Sequence, residues 1–449
     1  MDVRCDAAVL AIGRGFEPRT AHERVVDARG GALLPGLHDH HIHLHATAAA
    51  ARSLDCSDLG AGDADQLQQR LRAAGGSGWL RVVGYHESLA GDLDRWQADA
   101  LCATRPLRIQ HASGKLWILN SRALEVLAPL PWHDGLERRP DGTATGRLWR
   151  MDDWLQARLA SLSSPPPSAS LRDLSRRLAS YGVTGVTDAS YRNDAPAVSA
   201  LHAAHRVGDL LQRVDVMGDL TLSEGAYKIM LDEDALPPLD DLAEMLRATH
   251  LKGRTLAFHC VSHLELVYAL SALQQAGVQR GVRIEHGGVV RPELYDGLRA
   301  CQATVVTQPG FIAARGSRLL RQADVADRAF LYPYASLLAA GVPVAASSDA
   351  PYGPIDPWRI MAAAVQRRTS QGVCIGAREC VPASEALRGY LSDPCDPGGP
   401  VRRLLPGVTA DLCLLDRPLQ SALNDLAAVR VVQTVIGGKV VYEAESSTA

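Results

Sequence analysis

The sequence predicts an α/β protein, a (β/α)₈ TIM-like barrel with a small β-sandwich domain built from both termini. Three observations predict it. From Leu171 to Asp349, short apolar strands alternate with segments of helical spacing, the pattern of a parallel sheet. Polar residues stand at the C-terminal ends of those strands, where barrel enzymes place their chemistry. Apolar strands also occur near both chain ends, too few at either end to close a domain alone. No Gly-x-Gly-x-x-Gly follows a strand and no phosphate loop is present, so a dinucleotide fold is not supported.

With 449 residues the chain accommodates a barrel of ~250 residues or more plus a satellite domain. The expected layout is a first part of the sandwich at 1–35, the barrel at 36–395 with an elaboration at about 54–180, and the closing part of the sandwich at 396–449. Strands are expected at Ala7–Ile12, Val25–Asp27 and Ala32–Leu34, and again at Ala410–Asp416 and Val431–Tyr442, the last a pair joined by Gly437-Gly438. In the elaboration, Gln66–Ala74 reads as a helix, and Trp79–Tyr85 and Pro106–His111 read as strands. Ser161–Ser170, with Pro165–Pro167, reads as a linker. The regular part follows. Its strands are Val183–Ala189, Arg213–Met217, Ala226–Leu231, Thr255–Cys260, Val282–His286, Thr304–Gln308 and Val342–Asp349, with helices such as Leu171–Ser180, Ala197–Val207, Asp240–His250 and Leu264–Ala276 between them.

Composition excludes several classes. Hydrophobic content of 47% and charged content of 22% are those of an ordinary globular protein, and a net charge of −3 offers nothing to nucleic acid or an anionic membrane. No run of about 18 apolar residues appears, so no membrane span is expected. Met1-Asp2-Val3-Arg4 lacks a signal-peptide run, and the nine cysteines are scattered with no Cys-x-x-Cys pair. Reduced thiols and a cytoplasmic location are the expectation. The expected partner is a small-molecule substrate, with a homodimer admitted as an assembly.

The densest chemistry lies in Leu34-Pro35-Gly36-Leu37-His38-Asp39-His40-His41-Ile42-His43-Leu44-His45. Pro-Gly separates a short strand from a second one that carries the histidines. Residues two apart on a strand share a face, so His41 and His43 point together, with Asp39 in register and His38 and His40 opposite. Two imidazoles at a strand end make half of a metal site. Pro-Gly-x-x-Asp-x-His-x-His resembles the opening signature of the amidohydrolase superfamily of metal-dependent hydrolases. The run His111-Ala112-Ser113-Gly114-Lys115 followed by Asn120-Ser121-Arg122-Ala123-Leu124 is similar to the amidohydrolase family 3, or YtcJ-like, branch. Lys115 stands where that branch often carries His, and Thr145-Gly146-Arg147-Leu148-Trp149 is followed by Arg150 where it usually carries Glu.

The resemblance implies a ligand set of His41, His43, His259, His286 and Asp349, each near a strand end. It implies one or two divalent ions per chain, with zinc expected, and Lys228 as a carbamylated bridge between two ions. Neutral imidazoles suit such an ion, which lowers the pKa of a bound water and polarises a carbonyl. Asp349 is then the general acid/base that takes the water's proton and returns it to the leaving nitrogen. The implied activity is hydrolysis of an amide or N-acyl C–N bond of a small molecule. Asp39 and Glu285 are expected to orient imidazoles. Lys115, Trp117, His263, Phe311, Arg315 and Tyr352 are candidate substrate contacts. Two other readings remain open. Hydrolytic deamination of a heterocycle would typically need a Glu on the His263–Leu264 side of His259, and His259-Cys260-Val261-Ser262-His263 does not clearly show one. A catalytically inactive barrel acting as a binding protein would be expected to have lost ligands that this chain retains.

Overall fold

Two parallel sheets carry the centre of the chain. The computed structural model describes residues 2–56, 59–60, 62–76, 78–162 and 169–445. The chain folds as two compact units, Met1–Thr47 with Leu171–Ala449, and Ala48–Ser170. In the first unit we label the parallel strands β1 (Leu37–Ile42), β2 (Val183–Asp188), β3 (Arg213–Val216), β4 (Tyr227–Met230), β5 (Leu256–Cys260), β6 (Val282–His286), β7 (Ala303–Thr307) and β8 (Val344–Ala346). One sheet has the order β3-β2-β1, the other β4-β5-β6-β7-β8. A parallel bridge between Gly218 and Tyr227 lies at one junction of the two sheets. At the other, Asp349 N donates to His41 O at 2.8 Å and His43 N to Ala350 O at 2.9 Å.

The strand sequences explain the burial. Every residue of β2, β6 and β7 is buried, so these strands read as continuous runs rather than alternating ones. The helices between strands are set by local chemistry. In His263–Ala276, Ser262 accepts from Glu265 N while the Glu265 carboxylate accepts back from Ser262 N. Gly277, at φ 70°, ends that helix in the left-handed conformation that a side chain would resist.

Both chain ends share one antiparallel sheet, in which Leu33–Pro35 pairs with Leu412–Leu415, then Val431–Ile436 and Lys439–Glu443 follow. Asp2–Cys5 and Val9–Gly13 form a separate hairpin, tied to the C-terminal segment by a bridge from Ala8 to Thr409. The strand expected at Val25–Asp27 does not form. Val25 and Val26 are 71% and 42% exposed, and an apolar pair with no sheet edge to join gains nothing from extending. No helix among the described residues is long and apolar enough to cross a membrane.

The unit Ala48–Ser170 contains a six-stranded mixed sheet in the order Leu54–Asp55, Leu80–Tyr85, Leu107–His111, Leu116–Leu119, Ala144–Trp149, Leu136–Arg138. The first and the last three were not anticipated. Leu116-Trp117-Ile118-Leu119 is an unbroken apolar run, which periodicity cannot assign. Residues 163–168 of the expected linker lie outside the described residues, and the helix Asp152–Leu162 occupies its start.

Asn120, the asparagine of the Asn-Ser motif, organises this unit. It is fully buried and makes four hydrogen bonds. Its Oδ1 accepts from Leu107 N at 3.0 Å and Ala123 N at 2.9 Å; its Nδ2 donates to Cys102 O at 2.6 Å and Arg105 O at 2.9 Å. One side chain thus caps the helix Ser121–Leu127 and closes the start of the strand Leu107–His111. Asn120→Ala strands four backbone groups, three of them in buried hydrogen bonds, and the expected loss is about 3 kcal/mol. Six of the seven tryptophans lie between Trp79 and Trp154, so tryptophan fluorescence in a urea titration reports this unit. A loss below about 1 kcal/mol would contradict the assigned role.

Candidate metal centre

The ends of five strands bring ligand-capable side chains together. His41 is in β1, and His43 lies just past its last residue. Asp349 follows β8, with Oδ1 3.5 Å from His41 Nε2 and 3.2 Å from His43 Nε2, and Oδ2 3.7 Å from His286 Nδ1. His286 ends β6, and its Nε2 lies 2.9 Å from Nδ1 of His259 in β5. Neighbouring nitrogens on one tetrahedral ion sit about 3.3 Å apart, so this pair is close to ligand spacing. Lys228 of β4 is buried, and electrostatically it faces Glu285, Asp349 and the histidines. Its Nζ has no hydrogen-bond partner.

The outward nitrogens of three rings are held by protein. His41 Nδ1 donates to Glu285 Oε2 at 2.5 Å. Arg283 Nε braces the other oxygen of Glu285 at 2.8 Å, and Arg283 Nη2 donates to His40 O at 2.8 Å. His286 Nδ1 meets Gln308 Oε1 at 2.9 Å. The Gln308 amide is oriented by Nε2 donating to Val306 O and Ser347 Oγ at 3.1 and 3.0 Å. His43 Nδ1 lies 3.1 Å from Ser190 Oγ. These partners turn the Nε2 lone pairs inward, the arrangement a metal ligand needs.

Electrostatics select the ligating forms. Burial, reinforced by Lys228, pulls His41 down to about 4, and burial pulls His286 down to about 3. Burial and the neighbouring His286 hold His259 well below its ordinary value. All three rings are therefore neutral at pH 7. Burial opposes ionisation of Asp349, but His41, His43 and His286 outweigh it and hold the carboxyl below the usual carboxylate range. Burial also lowers Lys228, favouring its neutral amine. His286 and Asp349 have positive φ angles of 74° and 49°, a conformation unusual for residues with a Cβ and found at functional sites.

Several expectations are corrected. Asp39 does not orient an imidazole. Its Oδ1 accepts the backbone N–H groups of His41 at 3.3 Å and Ser348 at 3.0 Å, and burial pushes its carboxyl up to about 6. Trp117 is not a pocket wall. It is buried in the core of the Ala48–Ser170 unit, its indole N–H donates to Asp152 at 2.7 Å, and Arg81 and Arg108 stack on its ring. Phe311 is likewise buried, edge-on to Tyr332 at 5.5 Å and covered by the Arg315 guanidinium at 3.6 Å. Arg315 occupies a kink in the helix Gly310–Gln322 and donates to the Tyr352 carbonyl. Tyr352 does reach the centre, its ring edge-on to His43 at 5.7 Å. His263 starts the helix after β5, with Nδ1 buried and unpartnered. Lys115 is an exposed residue of the Ala48–Ser170 unit. His38 and His40 do face away, toward Thr187 Oγ1 and Ser392 Oγ at 2.8 and 3.1 Å.

Arg283, Gln308 and Ser190 were missed. Arg283 carried a signal, since an arginine inside a wholly buried strand requires a partner. Gln308 follows directly on β7, where polar residues are informative.

A family model described as the amidohydrolase family matches residues 24–442. The chain belongs to that family and is a hydrolase acting on carbon–nitrogen bonds. It is 25% identical to an N-substituted formamide deformylase of Arthrobacter pascens, covering 98% of this chain and 94% of the relative. It is 24% identical to the amidohydrolase YtcJ of Bacillus subtilis (strain 168), covering 93% and 90%. In structure it is similar to an uncharacterized metal-dependent hydrolase from Pyrococcus furiosus, with a TM-score of 0.69, 19% identity and coverage of 92% and 94%.

The depressed histidines give a pH dependence. Folded His41 stays neutral down to about pH 4, whereas an unfolded histidine takes up its proton near pH 6.5. Below pH 6.5 the unfolded chain binds more protons, so stability falls on acidification. The contribution is complete above about pH 6.5 and is lost as pH falls toward 4. The thermal midpoint of the metal-free protein should decline across that window, and His286→Asn should shallow the decline. A flat midpoint in the wild type would contradict the neutral buried rings.

Proposed function

We propose that this hydrolase binds one or two divalent ions, zinc by its donor set, and cleaves an amide or N-acyl bond of a small molecule. The observation that carries the reading is the convergence of His41, His43, His259, His286 and Asp349 at the same ends of parallel strands, with Nδ1 of His41, His43 and His286 already engaged. We take the eight strands as a closed (β/α)₈ barrel, because backbone contacts link both junctions of the two sheets. The terminal sheet and hairpin are taken as the β-sandwich. All nine cysteines are free, which fits a reducing compartment such as the cytoplasm.

The buried Lys228 Nζ, which has no hydrogen-bond partner, and the Asp349 carboxylate facing the imidazoles fit a site built around a cation. His41, His43 and Asp349 would hold one ion and His259 with His286 a second, with Lys228 as a carbamate between them. Such an ion supplies an activated water and polarises the scissile carbonyl. Asp349, ionised and facing three imidazoles, accepts the water's proton and delivers it to the departing nitrogen. Glu285 and Gln308 keep His41 and His286 in the ligating tautomer. Tyr352 and Arg315 shape the approach beside His43. N-substituted formamides, the class named for the Arthrobacter relative, are the first substrates to test, followed by N-acyl amino acids.

Deamination is less well supported. The acid that follows β5 is Glu265, and its Oε2 accepts from Val261 N at 2.7 Å and Ser262 N at 3.0 Å. A carboxylate engaged by its own helix cap is poorly placed to shuttle a substrate proton.

Three variants test the assignment on zinc-loaded protein. His43→Ala should lose an ion while the circular dichroism spectrum is unchanged. Asp349→Asn should keep most of the metal and lose roughly 10²–10⁴ in turnover. If metal is loaded with bicarbonate present, Lys228→Ala should bind one ion fewer than the wild type. Near-native turnover in Asp349→Asn would move the proton-transfer role elsewhere. Unchanged metal content in His43→Ala would remove the ligand assignment.

A further inference from the structure

We propose that His86, Glu87 and His111 form a second divalent-cation site, wholly inside the Ala48–Ser170 unit and independent of the barrel chemistry. Two neighbouring parallel strands, Leu80–Tyr85 and Leu107–His111, pair with a register shift between Val82 and Tyr85 that brings Tyr85 opposite His111. Each strand ends in a His-x-Ser turn, His86-Glu87-Ser88 and His111-Ala112-Ser113. At the strand ends the two imidazoles lie side by side, with centroids 5.6 Å apart and planes 30° apart. Both Nε2 atoms face the Glu87 carboxylate, His111 at 2.9 Å from Oε2 and His86 at 3.5 Å from Oε1. One ligand atom from each residue can be chosen so that all three lie within 4.8 Å of one another. The side chains are 23%, 56% and 17% exposed for His86, Glu87 and His111, so a solvated ion can reach them.

The serines allow both states. Without an ion, Ser88 N donates to His86 Nδ1 at 3.1 Å and Ser113 N to His111 Nδ1 at 3.1 Å. The proton of each neutral ring is then on Nε2, and that of His111 is donated to Glu87 Oε2 at 2.9 Å. To ligate through Nε2, each neutral ring moves its proton to Nδ1 through solvent, with no net change in charge. Nδ1–H then needs an acceptor, and Ser88 Oγ at 3.0 Å and Ser113 Oγ at 2.8 Å already stand there. Both serines are exposed, so water takes over their backbone N–H groups. Two imidazoles and a carboxylate with an open fourth position suit zinc or a similar borderline ion. The ion would fasten the segment after one strand to the end of the next.

The test is a zinc titration of the full-length protein against a chromophoric chelator, with bound metal counted by elemental analysis. His86→Ala and His111→Ala should each bind one zinc fewer than the wild type. His43→Ala should retain this zinc while losing metal at the barrel centre, which separates the two sites. Ser88→Ala with Ser113→Ala should weaken the site about tenfold, as loss of a ligand's hydrogen-bond partner does. Glu87→Gln, a near-isosteric change at an exposed position, should also weaken it at least tenfold and covers the case in which a histidine variant does not fold. Wild-type stoichiometry and affinity in His86→Ala, His111→Ala or Glu87→Gln would overturn the proposal. Wild-type affinity in the double serine variant would overturn the proton-relocation step.

Discussion

Burial of several imidazoles as neutral rings is the constraint on which the centre depends. A buried ring must satisfy the nitrogen that does not ligate, or bear the full desolvation cost of that atom. Glu285 does this for His41, Gln308 for His286 and Ser190 for His43, and each partner comes from a different strand end. Glu285 itself could not be buried alone. Burial opposes its ionisation, and Arg283 and Lys228 outweigh that and hold it well below its ordinary value. Arg283 in turn reaches back to the His40 carbonyl, so the charge network also fixes the backbone of β1. Removing either member leaves the other as a buried uncompensated charge, which is far more costly than the pair is stabilising.

The parts of the centre that were legible in the sequence are those set by short-range geometry. The two-residue period of a strand placed His41 and His43 together and sent His38 and His40 to the opposite face. Strand-end positions singled out His259, His286 and Asp349. Glu285 was legible as a residue that orients an imidazole, but its ring, His41, lies 244 positions away, and Gln308 and Ser190 were not legible because their contacts likewise join different strand ends. Asp39 shows the limit of parity as a guide. It lies in register with His41 and His43, but its carboxylate accepts from two backbone N–H groups instead.

The same contrast holds for the fold. The regular alternation after Leu171 was readable, with strand bounds shifted by a few residues. In the Ala48–Ser170 unit the helix Ala64–Ala73 and the strands Leu80–Tyr85 and Leu107–His111 were readable, but the remaining strands were not, since the sheet turns from parallel to antiparallel pairing between Leu107–His111 and Leu116–Leu119. Its Asn-Ser motif acquires a structural meaning from the four hydrogen bonds of Asn120, and its buried Trp117 from two stacked arginines. Trp117 is buried in a core with Leu119, Leu124 and Leu148, with Trp79 and Trp154 packed against it, which is why a tryptophan in a family motif is not by itself a substrate contact. His286 and Asp349 are two of seven non-glycine residues with positive φ among the described residues, and backbone hydrogen bonds between β1 and the residues after β8 hold the turn at Asp349 in place.

The central claim is that these side chains surround metal ions at two adjoining positions. Anomalous diffraction from crystals of the zinc-loaded protein, recorded on both sides of the zinc absorption edge, tests it most directly. The account predicts one peak at bonding distance from His41 Nε2, His43 Nε2 and Asp349. It predicts a second, in protein loaded with bicarbonate, at bonding distance from His259 Nδ1 and His286 Nε2, with carbamate density on Lys228. Well-ordered crystals with no anomalous peak within about 2.5 Å of any of these nitrogens would contradict it.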